Sequence, residues 1–176
     1  MGYSPAITSL LTAPPTVFAC VVAMALSWVA DKYRMRAPII AVQAILCIMG
    51  LMITAYHPSN NVRYFGFFLG AAGCQGNIPA ILAYQSNNIR FQSKRAVGSA
   101  LQIGFGALGG IIASTVFREQ DAPKYIPGLW VTTAFQLFIL VAVACTTLIF
   151  WMRNNEVDEG RARKPIEGLE GFKYTL

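Results

Sequence analysis

Val97–Phe117 reads VGSALQIGFGALGGIIASTVF. It has no charged residue and five glycines, and the basic cluster Arg90, Lys94 and Arg95 precedes it. An uncharged apolar run of this length crosses a bilayer, which takes about 20 such residues. The glycines need a separate reason, since each costs roughly 1 kcal/mol against alanine in an ordinary helix. Between membrane helices, small residues let two backbones approach closely. The run therefore predicts a transmembrane helix packed through a glycine face. Gln102, Gly106 and Gly110 recur four apart with Ser99 nearby, so the same face carries an amide. Gly104–Gly109 also spells G-x-G-x-x-G. A dinucleotide-binding turn needs a strand before that motif and a helix opening after it. This copy lies inside an apolar run with helical signals, so no cofactor is expected.

The whole composition agrees with that opening stretch. The 176 residues are 55% hydrophobic and 12% charged, against about 25% charged in a soluble domain. The class predicted is an all-α polytopic membrane bundle. The net charge of +6 sits in short clusters between apolar runs, as in loops facing the cytoplasm. No basic helix face or aromatic RNA motif is present, so nucleic acid is not an expected partner. Cys20, Cys47, Cys74 and Cys145 lie in four different runs without a C-x-x-C pair. They read as small buried hydrophobes, with neither metal ligation nor a disulfide framework expected. No acid, base or metal cluster lies within a run, so an enzyme is not expected.

Four further runs flank the first, giving five spans at about 5–30, 38–56, 63–84, 97–117 and 129–152. Residues 1–153 form the membrane bundle and 154–176 a charged tail, expected to be extended or disordered. The first span contains Pro14 and Pro15. A kink or local unwinding is expected near Thr12, because membrane helices accept proline where neighbours satisfy the freed carbonyls. The second span is aliphatic apart from Gln43 and Thr54 and reads as lipid-facing. His57 ends it as an interfacial residue. In the third, Gly66, Gly70, Gly73, Asn77 and Tyr84 share one narrow helical face, and Gln75 points away. The three glycines form a groove for a neighbouring helix. Asn77 and Tyr84 are either an interhelical hydrogen-bonding pair or a polar pair lining a cavity. Trp130 and Trp151 flank the fifth span as interfacial aromatics.

Orientation follows from the basic residues. Lys32, Arg34 and Arg36 fill the first connection, Arg90, Lys94 and Arg95 the third, and five basic residues lie from Arg153 to the end of the tail. The second connection has Arg63, and the fourth Arg118 and Lys124. The positive-inside rule makes the first, third and tail segments cytoplasmic. Five spans then leave the N-terminus of this chain outside, which suits the end of something larger.

Ser27–Arg36, SWVADKYRMR, resembles the loop signature of the major facilitator superfamily, with Arg34 where glycine is usual. Leu10–Pro15, Asn87-Asn88, Lys94–Ala96, Ile103–Gly106, Gly109–Ser114, Phe117-Arg118, Gln120–Gly128 and Phe172–Tyr174 resemble its fungal allantoate permease-like branch, the anion:cation symporters. The resemblance covers nearly the whole chain and implies helices eight to twelve of a twelve-helix transporter in the plasma membrane. It implies alternating access of two halves around a midplane site, with a small organic anion or related nutrient as substrate and proton coupling. Helices eight, ten and eleven would line the cavity through Thr12, Asn77, Tyr84 and Gln102; nine and twelve would face lipid. Asp31, Lys32, Arg34 and Arg36 would form the conformational loop, with Asp31 capping a helix of the missing half. Gly66, Gly70, Gly73, Gly106 and Gly110 would pack helices ten and eleven together. The family has Asn where this chain has Ala107, and often Gly where it has Phe91. A transporter fragment is thus expected, inactive without its missing half. The alternative is a non-catalytic membrane subunit that associates through the glycine faces.

Overall fold

Nearly every residue between the connections has its backbone donor and acceptor satisfied within its own helix, as apolar surroundings demand. A computed structural model describes residues 5–121, 125–161, 166 and 172–175, with backbone alone for 5, 6, 8 and 119. The order is α1 (Pro5–Tyr33), α2 (Ala37–Tyr56), α3 (Asn60–Asn88), α4 (Gln92–Val116), a short 3-10 turn (Glu119–Asp121) and α5 (Ile126–Asp158). Among the described residues, five helices are long and apolar enough to cross a membrane. Each corresponds to one expected span, and most extend past it. Apolar composition marks only the part of a helix that hydrocarbon surrounds; polar turns such as Gln85–Asn88 and Arg153–Asp158 continue the same helices. The expected boundary at Arg153 therefore falls inside α5. Within the tail, Phe172–Thr175 returns to the bundle; residues 162–165 and 167–171 lie outside the described residues.

The tightest seam joins α2 to α3. Gly50 of α2 meets Gly66 and Gly70 of α3 so closely that a Cβ on Gly50 would lie 2.6 Å from the Gly66 carbonyl oxygen. A Cβ on Gly73 would lie 2.6 Å from the Cys47 nitrogen and 2.8 Å from its Cβ. These are backbone-to-backbone approaches that only glycine allows. The expected partner of the third-run glycine groove was the fourth run; the structure gives it the second. Around Gly104, Gly106, Gly109 and Gly110 of α4 nothing lies within 4 Å of an added Cβ. α4 has no buried residue. The reason is register: Gly66, Gly70 and Gly73 face α2 across a connection of three residues, whereas α4 touches α3 and α5 lightly.

The reading of α2 as lipid-facing is corrected in the same way. One face holds Ile40, Gln43, Ala44, Cys47 and Gly50, all buried, between α3 and α5. Only the opposite face, with Val42, Ile45 and Met49, is exposed. A uniformly apolar helix shows no stripe, so sequence alone does not say which side is covered.

The unwinding expected in α1 is absent. α1 runs unbroken through Pro14 and Pro15. Proline at 15 supplies no N–H to the Leu11 carbonyl, and the Tyr64 hydroxyl of α3 donates to that carbonyl at 3.0 Å. Pro15 is itself buried. α1 also buries Ala19 and Ala30, while Leu10, Val17, Val21, Met24 and Trp28 are exposed.

Candidate functional site

The first connection is built by two helix ends. α1 stops at Tyr33, and Arg34 takes φ 52°, the left-handed conformation that usually follows a helix. Asp31 and Arg36 pair across the turn. The Arg36 side chain is largely covered and the Asp31 carboxylate is exposed. Lys32 lies 5.0 Å over the Trp28 ring and 6.0 Å from Tyr33. The four residues of the loop motif thus share one charged turn between α1 and α2. At the other end of α2, the Arg63 guanidinium donates to the Thr54 carbonyl at 2.9 Å, satisfying one of the carbonyls a helix terminus leaves free. His57 caps α2 there, and its Nδ1 accepts the Ser59 N–H at 3.1 Å.

The four cavity candidates do not converge. Thr12 is exposed on α1, and its hydroxyl donates back to the Ser9 carbonyl at 2.7 Å. Gln102 is half-buried on α4, and its Oε1 has no hydrogen-bond partner. Asn77 and Tyr84 are 3% and 7% exposed and belong to the face of α3 that turns toward α2 and α5. Gln75 is exposed on the other side of α3.

Around Asn77 and Tyr84 the helices bury a polar layer that the sequence did not single out. Gln43 lies over Gly76, where an added Cβ would be 2.6 Å from its Nε2. Gln136 of α5 lies against Cys47. Tyr84 sits beside Thr147 without closing a hydrogen bond. Gln43, Asn77, Tyr84, Gln136 and Thr147 each keep at least one buried polar atom unpartnered. Such atoms are costly in hydrocarbon, and together they mark a buried polar seam between the helices. Beside it, α2, α3 and α5 line a half-open cavity of about 500 Å³, with Ile40, Tyr84, Asn88, Phe138 and Phe150 among its walls. The arrangement can bind an apolar or aromatic body with a few directed hydrogen bonds. Among the described residues no cluster of His, Cys, Asp or Glu could hold a metal ion.

Five long apolar helices joined by short charged turns define a multi-pass membrane protein. Along essentially its whole length the chain is homologous to transporters of the major facilitator superfamily. It is 34% identical over 188 residues to the MFS-type transporter cnsO of Penicillium expansum, covering 99% of this chain and 34% of that protein. It is 32% identical over 178 residues to the MFS transporter prlL of a fungal species, covering 99% and 36%. The high-affinity nicotinic acid transporter of Saccharomyces cerevisiae is 25% identical over 156 residues, covering 89% and 29%. The chain thus spans about a third of the length of the curated relatives it matches. No protein-family model matches, and no solved structure matches.

Proposed function

We propose that this chain is the part of a secondary active transporter that supplies helices eight to twelve, and that it works together with a further membrane segment. The end-to-end match to MFS-type transporters carries this reading. The structure supports it through asymmetry. The α2–α3 seam is closed backbone to backbone, while α4 carries the half-buried amide of Gln102 and an open glycine face at Gly104, Gly106, Gly109 and Gly110. A helix whose partners were only lipid would have no use for either feature. In this reading the loop Asp31–Arg36 and the C-terminal segment are cytoplasmic, and the start of the chain is outside, in the plasma membrane. Substrates are small organic anions of the carboxylate or vitamin type, in line with the name of the yeast relative, and coupling is to protons. No Asp, Glu, Lys or Arg lies deep in a span of this chain, so the groups that carry proton and anion come from the other segment.

The test is uptake by proteoliposomes under an inward proton gradient, with labelled nicotinate and other small carboxylates. The 176-residue chain alone gives no saturable uptake, and co-reconstitution with the N-terminal two-thirds of a relative such as cnsO restores it. Saturable uptake by the chain alone would overturn the need for a second segment. Complementation without any carboxylate transport would overturn the substrate class. A second reading, a non-catalytic subunit that self-associates through α4, is favoured by the open space around Gly106 and Gly110. Gly106→Leu with Gly110→Leu then abolishes dimers in detergent; an unchanged monomer–dimer equilibrium removes that reading.

A further inference from the structure

Phe172–Thr175 lies as a non-helical segment across the ends of α3 and α5, held by two buried asparagines. Asn154 of α5 accepts the Tyr174 N–H at 2.9 Å and donates to the Tyr174 carbonyl at 2.9 Å. Asn88 of α3 accepts the Thr175 N–H at 2.8 Å and donates to the Thr175 carbonyl at 3.2 Å. Each amide answers both backbone groups of one residue, as a neighbouring strand would. Side chains add selectivity. The Tyr174 ring stacks on Phe150 at 4.2 Å between centroids and 12° between planes. Phe172 meets Tyr174 edge-on at 5.8 Å. Lys173 lies 2.5 Å from the Asp158 carboxylate.

Two consecutive residues are thus clasped by two different helices. The α3 and α5 backbones stay apart, and the two helices meet through side chains, with the Tyr84 ring 6.0 Å from that of Phe150. Tyr174 is also part of the wall of the cavity of about 500 Å³ that α3 and α5 share. We propose that Asn88, Asn154, Phe150 and Asp158 form a receptor for an aromatic–lysine–aromatic peptide, and that this chain's Phe172–Thr175 occupies it as a strap. The strap fixes the distance between the two helix ends and closes one side of the cavity between them. Its release takes both hydrogen bonds from the Asn154 amide and leaves Asn88 only its bond to the Tyr84 carbonyl, which opposes spontaneous opening. The strap needs neither the substrate nor the second segment named above, so its test stands apart from transport.

The test is hydrogen–deuterium exchange of the whole chain in lipid nanodiscs. In the native chain the Tyr174 and Thr175 amides exchange at least about 100-fold more slowly than in an unstructured peptide. Asn154→Ala removes the protection at Tyr174, and Asn88→Ala removes it at Thr175. Asn155→Ala, one residue from the clasp, leaves both unchanged. Tyr174→Ala, which keeps both asparagines, weakens protection of both amides by taking away the stacked ring. Unprotected amides in the native chain would overturn the proposal without recourse to any variant. So would protection that survives the double substitution Asn88→Ala with Asn154→Ala in a chain that keeps its helicity.

Discussion

Two residues show how single side chains set this backbone. Arg34 holds φ 52°, a conformation that costs a residue with a Cβ roughly 1 kcal/mol or more and glycine almost nothing. Arg34→Gly therefore raises stability by about 1 kcal/mol, read from the midpoint of reversible unfolding in mixed micelles. The Asp31–Arg36 pair is retained in that variant, because neither partner is changed. Tyr64 is the second case. Its hydroxyl takes the carbonyl that Pro15 leaves without a donor, so Tyr64→Phe strands a part-buried acceptor at a cost of about 1 kcal/mol. A double-mutant cycle with Pro15→Ala isolates the cause. Alanine at 15 restores the helical N–H, so Tyr64→Phe then has a much smaller effect. The proline pair was plain in the sequence, but its partner was not. Tyr64 lies about fifty positions away, at a helix start where an aromatic usually reads as an interfacial anchor.

At the level of the helix, the glycines of α2 and α3 differ from those of α4. Gly50→Ala or Gly73→Ala drives a methyl group into facing backbone and costs about 1–3 kcal/mol. Gly104→Ala meets open space and leaves this chain as stable or firmer by up to about 1 kcal/mol. Thermal unfolding of the three single variants checks the contrast; equal losses would contradict the seam. Helix existence was legible because a run of twenty uncharged residues has few other fates. The shared face of Gly66, Gly70, Gly73, Asn77 and Tyr84 was legible because 3.6-residue periodicity fixes it. What that face packs against was not, since periodicity names a side but not a neighbour. Gln43 and Gln136 escaped for a related reason: a lone amide in an aliphatic run gives no direction when every other position is apolar too. Asn88 and Asn154 read as connection and tail, because polar composition at a span's end hides the last turns of a helix.

For the molecule as a whole, the distribution of exposure is the telling property. α2 and α3 bury a third of their most apolar windows, α1 and α5 about a tenth, and α4 none. Lipid accounts for Leu101, Phe105 and Ile111, but it offers nothing to the half-buried amide of Gln102. In a reconstituted pair with the remaining segment of a relative, Gln102→Leu is expected to lower uptake by about tenfold, while the isolated chain keeps its unfolding midpoint. Equal uptake by the variant would place Gln102 outside the transport path. The same pair tests Ala107, where the family resemblance leads to Asn: Ala107→Asn shifts relative uptake among carboxylates without altering the chain's own fold.

The short connection between α2 and α3 has a consequence for how the protein is made. Their seam is built almost wholly from residues near one another in sequence, and contacts of that kind form fast because little chain must be searched. During synthesis the pair can zip together once Asn88 has left the ribosome, before α4 exists. α4 follows later, a helix that buries none of its residues against the rest of this chain. Biogenesis of this chain therefore has an early step, closure of the α2–α3 seam, and a later one in which α4 enters the bilayer with little cover from its own chain.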